Sequence, residues 1–211
     1  MANTLAKVAT LAMGFGLTGS LAQTETTYRG YEMPPYRVEG QVGAAELRAY
    51  APHVVALVTV RGDQSGALGR GFQVLARYIF GANLPREAVA MTTPVTQTPG
   101  TEIAMTAPVG QAGEGDLWTV SFTMPSQYTL ATLPAPQDPA IRFEETVAQR
   151  QIVLTFSGRA TDAALAERTA EVRALAEGAG LRLAGGPVYY FYDDPFTLPW
   201  NRRNEVAFRL E

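Results

Sequence analysis

The side chains able to do chemistry are few in this sequence, and their types narrow it at once. It holds one histidine, His53, and no cysteine. Thiolate metal sites, cysteine nucleophiles, disulfides and paired-histidine metal sites are therefore excluded. His53 follows Pro52 and is the lone imidazole available as a ligand or proton carrier; a hydrogen-bonded structural histidine is the alternative at the same position. Thioethers stand at Met91 and Met105, inside two near-identical strings, Ala90 to Val95 (AMTTPV) and Ala104 to Val109 (AMTAPV). A methionine there is either a soft metal ligand or a filler of core gaps. Tyr189, Tyr190, Phe191 and Tyr192 alternate between the two faces of an extended chain, so one face can line a slot while the other packs. The adjacent acids Glu144–Glu145 and Asp193–Asp194 point to opposite faces of a strand and form no carboxylate dyad. Arg202, Arg203 and Glu205 either bind an anion or form an ion pair that holds the last strand. No Gly-x-Ser-x-Gly elbow occurs, and a Ser-His-acid triad would have to recruit His53. No catalytic residue is expected.

The elements that must position these groups are legible. With 211 residues, 46% hydrophobic and 18% charged, the chain suits one domain with a sizeable core. A net charge of -3 without a basic stripe argues against a nucleic-acid partner. Lys7 followed by the uncharged run Val8 to Leu17, then Ser20-Leu21-Ala22, predicts a signal peptide over residues 1–22, cleaved after Ala22. The expected product is periplasmic or secreted, with no stable membrane anchor after cleavage. Residues 23–43 read as a linker or loosely docked N-terminal arm bearing Pro34 and Pro35, with Tyr28, Tyr31 and Tyr36 able to touch the body.

Residues 44–211 form the domain. Strands are predicted over Glu46–Tyr50 and His53–Val60. A helix follows, with Ser65 as N-cap, Leu68, Phe72, Leu75, Ala76 and Ile79 at helical spacing, and a stop at Gly81. The two repeats read as short extended runs bounded by Pro94 and Pro108. Leu117 to Met124 alternates cleanly, and Pro125 to Pro139 is a long connection. Strands over Ile141–Glu145 and Gln151–Ser157, a helix from Thr161–Asp162 to about Glu177, and strands over Val188–Tyr192 and Asn204–Leu210 then repeat the order of the first half. Two similar strand-helix-strand-strand halves predict an α+β domain, with sheets packed together and helices covering one side or flanking a distorted antiparallel β-barrel.

Several segments, in order, resemble the SOUL heme-binding protein family. They are Glu46-Leu47-Arg48-Ala49-Tyr50, the helix from Gly71-Phe72 through Tyr78-Ile79 to Gly81-Ala82-Asn83, and both Met-Thr-x-Pro-Val strings. Trp118 to Pro125, Phe156-Ser157-Gly158 and Arg202-Arg203-Asn204-Glu205-Val206 complete the set. The doubled string resembles bacterial and plant members. The resemblance implies a twisted β-barrel of two related halves flanked by two helices, similar to drug-sensing effector domains. It also implies binding of heme or a similar tetrapyrrole without chemistry on it.

A heme is a flat apolar plate with two carboxylates at one edge. It asks for an apolar slot, a cation at the rim and, optionally, an axial ligand. The first helix offers Leu68, Phe72, Leu75, Ala76 and Ile79 as the slot, with Arg70 and Arg77 at its margins, although the same stripe also suits ordinary core. Where some members have a histidine before the Tyr of the first motif, this chain has Ala49. Two basic positions associated with the propionates in animal members are Gly69 and Leu198 here, whereas Arg77 matches a basic position. Axial ligation is left to His53 or a methionine, both secondary to structural roles. The leading expectation is a heme- or tetrapyrrole-binding protein with no turnover. A binding module for other flat hydrophobic molecules, or a hydrolase using an acidic residue in the barrel cavity, are the alternatives.

Overall fold

The computed structural model describes residues 26–84 and 100–211. The expected signal peptide and the first repeat, with Met91, lie outside them. The chain runs β1 (Thr27–Tyr28), β2 (Tyr31–Glu32), β3 (Tyr36–Val42), β4 (Ala45–Tyr50), β5 (Val54–Arg61), α1 (Gln64–Ile79), β6 (Asn83–Leu84), β7 (Val109–Glu114) and β8 (Leu117–Thr123). It continues through β9 (Ala135–Pro136), β10 (Arg142–Glu145), β11 (Gln149–Phe156), α2 (Asp162–Gly178), β12 (Leu183–Phe191) and β13 (Asn204–Leu210).

Nine strands make one antiparallel sheet in the order β10-β5-β8-β7-β12-β13-β11-β4-β3. The two expected halves are visible in that order. Each half keeps its hairpin and the strand before its helix together, β5-β8-β7 and β12-β13-β11. Each gives its leading strand to the other half: β4 pairs with β11, and β10 pairs with β5. The expected mixed α+β architecture is therefore present, with a large antiparallel sheet and two helices. Barrel closure is not part of it: β10 and β3 stand at the two ends of the sheet, and no described pairing joins them.

Cross-strand partners share a face of the sheet, so the register assigns the two surfaces. Val120, Gln111, Tyr189, Val206 and Leu154 lie opposite one another across five strands. The helices cover this face. α1 packs on β5 and β8, and α2 on β11 and β13. The α1 helix begins where the Asp63 carboxylate, rather than the expected Ser65, accepts from the Gly66 amide at 3.0 Å. The Thr161 hydroxyl caps α2 by accepting from the Ala164 amide at 3.2 Å. Leu75 and Ile79 of α1 are sealed against Val58, Val120 and Phe122. Burial of each such side chain contributes about 1.5–3 kcal/mol. The second helix places Leu165, Val172 and Ala176 against Ile152, Val206 and Phe208.

On the opposite face the described part of the N-terminal arm joins the sheet. β3 extends the sheet beyond β4, pairing Tyr36 with Tyr50 and Val38 with Arg48. Met33 and Tyr36 are buried with Tyr50, Val153, Tyr192 and Ala207. Arg37 and Glu39 alternate with Tyr36 and Val38, so the segment has the period of a half-buried edge strand. The second repeat closes the same face: Ala107 joins this cluster, and its amide donates to the Glu32 carbonyl at 2.9 Å.

At Gly71 the helix approaches the sheet so closely that an added Cβ would lie 2.5–2.6 Å from Val120 Cγ2 and Cβ. Gly71→Ala must push α1 off β8, and we expect a loss of about 1–3 kcal/mol in urea unfolding with the fold retained. An unchanged midpoint would contradict this contact.

Candidate functional site

Two places in the fold concentrate chemistry: a buried charge network on the helix-free face, and an exposed apolar surface on α1. The network centres on Glu205 of β13, which is 0% exposed. Its Oε1 accepts from Arg203 Nη2 at 2.8 Å, Arg203 Nε at 3.0 Å, Arg48 Nη1 at 3.1 Å and Thr155 Oγ1 at 3.2 Å. Its Oε2 accepts from the Tyr192 hydroxyl at 2.9 Å and Arg48 Nη1 at 3.1 Å. Arg48, 1% exposed, also donates from Nε to Glu46 at 2.8 Å and lies 4.5 Å from the Tyr36 ring centroid. Arg203 stacks on Tyr192 at 4.4 Å. Two guanidiniums thus face two carboxylates, and the set is close to neutral. Burial pulls the Arg48 pKa down, but the fields of Glu205, Tyr50 and Tyr36 outweigh it and hold the guanidinium charged. Burial first, then the Glu205 charge, holds the Tyr50 and Tyr192 phenols well above their ordinary range.

A carboxylate held by two arginines, a threonine and a tyrosine has its lone pairs engaged. That arrangement suits a structural anion better than a general base. The expected pairing of Arg203 with Glu205 is present. Arg202 takes a different part, donating to the Thr197 and Pro195 carbonyls at 2.7 and 2.6 Å. Glu144 and Glu145, the other paired acids, are exposed on β10.

The α1 residues expected to form a slot divide by the helical period. Leu75 and Ile79 point into the core, and Leu68 is half-buried against it. One row over, Phe72, Ala76 and Phe80 follow at i, i+4 and i+8 and line a depression of about 400 Å3 with Gln73, Arg77 and Ala82. Phe72 and Phe80 are both exposed, with Phe72 edge-on to Phe122 at 5.4 Å. Arg77 stands exposed at the rim and makes no ion pair among the described residues. Phe80 escaped the sequence reading because the helix was taken to end near it; its spacing from Phe72 was the available signal. Gly69 and Leu198 do not line this depression.

His53 lies elsewhere. Its Nδ1 is 2.9 Å from the Ala51 carbonyl and 3.1 Å from Thr146 Oγ1, and it lines a smaller hollow with Met124, Tyr128 and Glu145. Burial lowers its pKa, against the opposing Ala51 hydrogen bond, so the neutral imidazole is favoured. Met105 is partly buried against the α1 core. Tyr189 packs on the helix face with Trp118, whereas the Tyr190 hydroxyl meets the Gln151 side chain at 3.2 Å on the other.

The fit of these residues to a tetrapyrrole follows from their chemistry. Two exposed phenyl rings flanking a flat alanine accept one face of an apolar plate, and Arg77 can meet a carboxylate at its edge. Among the described residues the depression is lined by no imidazole, thioether or phenol. Those residues fit the plate and offer no axial ligand to an iron.

The model of the SOUL heme-binding protein family matches residues 31–209. Among the curated proteins no sequence matches. A hydrolase from Listeria innocua is similar in structure, with a TM-score of 0.55 and 14% identity over 79% of this chain and 91% of that one. The EcmrR C-terminal domain is similar with a TM-score of 0.54 and 15% identity, over 79% and 96% of the two chains. At such identities these likenesses establish the fold alone.

Glu205→Gln removes the anion between the buried Arg48 guanidinium and the partly buried Arg203 guanidinium. We expect a loss of about 3 kcal/mol or more in urea unfolding. The raised phenols add a pH dependence. Unfolded tyrosine ionises near pH ~10 while Tyr50 and Tyr192 keep their protons in the folded state. Their contribution is therefore complete below about pH 10 and lost as pH rises above it. Urea midpoints that stay level through that alkaline range would contradict the buried network.

Proposed function

This chain belongs to the SOUL heme-binding protein family, and from that premise we propose that it binds heme or a similar tetrapyrrole against the outer face of α1, without turnover. The observation that carries the reading is the Phe72–Ala76–Phe80 row with Arg77 at its edge. A flat ligand laid across the two rings covers apolar surface that otherwise faces water. Its carboxylates reach toward Arg77, and toward solvent where they stay hydrated. Heme, when bound, would supply the iron chemistry; the residues of the depression supply contact and orientation.

The state of Glu205 supports binding over hydrolysis. Glu205, a buried acid that the alternative hydrolase reading could use as its base, is engaged by Arg48, Arg203, Thr155 and Tyr192. Export is the second part of the proposal. It is supported by the charge, apolar run and small residues of positions 1–22, and the amino-terminal sequence of the protein recovered from cell envelopes would test it.

Titration of the purified protein with hemin tests the binding. We expect a saturable Soret shift, weakened at least about tenfold by Phe72→Ser combined with Phe80→Ser. His53→Ala should leave the spectrum unchanged, because its ring lies in a different hollow. Nonsaturating, featureless binding would overturn the proposal, as would saturable binding indifferent to the two phenylalanines.

A further inference from the structure

The loop between β12 and β13 turns three large apolar side chains outward. Phe196, Leu198 and Trp200 are 94%, 51% and 69% exposed, whereas Thr197 and Pro199 between them are half-buried. The loop is well braced. The Asp194 carboxylate accepts from the Phe196 and Thr197 amides at 2.7 and 2.9 Å and from the Thr197 hydroxyl at 3.2 Å. Arg202 ties the Thr197 and Pro195 carbonyls from the other side. The Pro199 carbonyl accepts from the Gly158 amide at 2.9 Å. Three large apolar groups are thus held out in water by hydrogen bonds, the arrangement expected of a contact surface.

We propose that this loop is a peripheral membrane contact, whose Phe196, Leu198 and Trp200 enter the boundary between headgroups and acyl chains of an anionic bilayer. Area argues for lipid over protein. Three such side chains offer roughly 500 Å2, below the ~800 Å2 per partner of a stable protein interface. Chemistry agrees, since a tryptophan with an apolar body and a polar N–H suits the membrane–water boundary. Charge agrees as well. Arg29 reaches the loop by donating to the Asn201 carbonyl at 2.8 Å, and Arg159, exposed beside Gly158, stands at its other side. Arg29 is paired with Asp193, and Asp194 is held by the Phe196 and Thr197 amides, which leaves Arg159 as the guanidinium able to meet a phosphate of an anionic surface.

The path of the chain places the same face toward a membrane. Tyr28 donates to Asp193 at 3.1 Å and Arg29 pairs with Asp193 at 2.9 Å, so the chain near Thr26 is fastened to this loop. Arg29 takes a φ of 48°, an uncommon value for a residue with a side chain. Eight residues lie between Leu17, the end of the apolar run, and Thr26, and nine links reach at most about 30 Å. An unprocessed chain held at the bilayer by that run would be tethered from the side that bears Phe196 and Trp200. Among the described residues no helix is long and apolar enough to cross a membrane, and the contact is shallow and reversible. It shares no residue with the α1 depression.

The test uses Trp200 as its own reporter. The chain has two tryptophans, and Trp118 is buried beneath the helices. Vesicles of phosphatidylglycerol and phosphatidylethanolamine carrying brominated acyl chains should quench the fluorescence of the purified protein. Quenching should vanish in Trp200→Phe. Phe196→Ser combined with Leu198→Ser should weaken vesicle partitioning at least about tenfold and leave the melting temperature unchanged, because neither side chain packs in the core. Sedimentation with vesicles while Trp200 stays unquenched would overturn the proposal, since another segment would then carry the contact. A dimer in light scattering that the double substitution dissociates would overturn it in favour of self-association. Hemin binding is unaffected by either result.

Discussion

A carboxylate sealed from water between two guanidiniums is the constraint to which much of this sheet answers. Glu205 lies on β13, and its partners come from β4 (Arg48), β11 (Thr155), the end of β12 (Tyr192) and β13 itself (Arg203). All must arrive on one face at one level. A one-residue slip of β13 would turn Glu205 toward α2, among Ile152, Leu154 and Phe208, and away from Arg48, Thr155 and Tyr192. A buried ion set adds little net stability over apolar residues of the same volume, because desolvation offsets the attraction. Misplacing it is what costs several kcal/mol. The network therefore acts chiefly against wrong registers. It also fastens the two halves, since Arg48 belongs to the first and Glu205 to the second.

The exchange of leading strands makes that fastening necessary. β4 completes the sheet of the second half, and β10 that of the first, so neither half buries its own strand edges alone. The helices occupy corresponding places in the two halves, yet their outer surfaces differ. α2 presents Glu167, Arg168, Glu171 and Glu177 to solvent, with Arg168 paired to Glu171 at 2.6 Å. α1 presents Phe72, Gln73, Arg77 and Phe80. The contrast between equivalent positions is one of apolar against charged surface, and it is the contrast on which the proposed α1 site rests.

Local periodicity carried much of the architecture. The alternation of Trp118, Val120 and Phe122, and the helical spacing through Leu75 and Ile79, are signals one segment can hold by itself. β3 was harder to see. Pro34, Pro35 and Gly40 read as loop, and Tyr36 and Val38 become inward-facing only once Tyr50 and Arg48 lie beside them. β7 was missed for a related reason. Its Gly110 lowers strand propensity, yet a Cβ there would come 2.6 Å from Ser121 Oγ and 3.6 Å from Tyr190. The glycine is required by its neighbours rather than by its own strand. The pairing of Arg48 with Glu205, 157 residues apart, lies beyond any local pattern. The sequence suggested only the short-range half of it, Arg203 with Glu205.

Where a flat ligand can go is decided by what already fills the sheet. On the helix-free face Met33 and Tyr36 from the N-terminal segment and Ala107 from the second repeat pack onto Tyr50, Tyr192 and Val153. A plate placed over Met33 and Ala107 would have to displace them and lose buried area, and the open hollow of about 510 Å3 beside them is lined by the charged side chains Glu46, Arg48 and Arg203 together with Tyr36, Thr155 and Trp200. On the other face, Leu75, Ile79, Leu165 and Val172 close the space between helix and strand. The outer row of α1 is different: Phe72 and Phe80 lose exposed apolar surface when covered, and no core contact has to be broken. The duplicated Met-Thr-x-Pro-Val string thus bears on ligand choice indirectly. Its second copy helps to fill one face of the sheet, where Ala107 packs with Met33, Tyr36 and Tyr192.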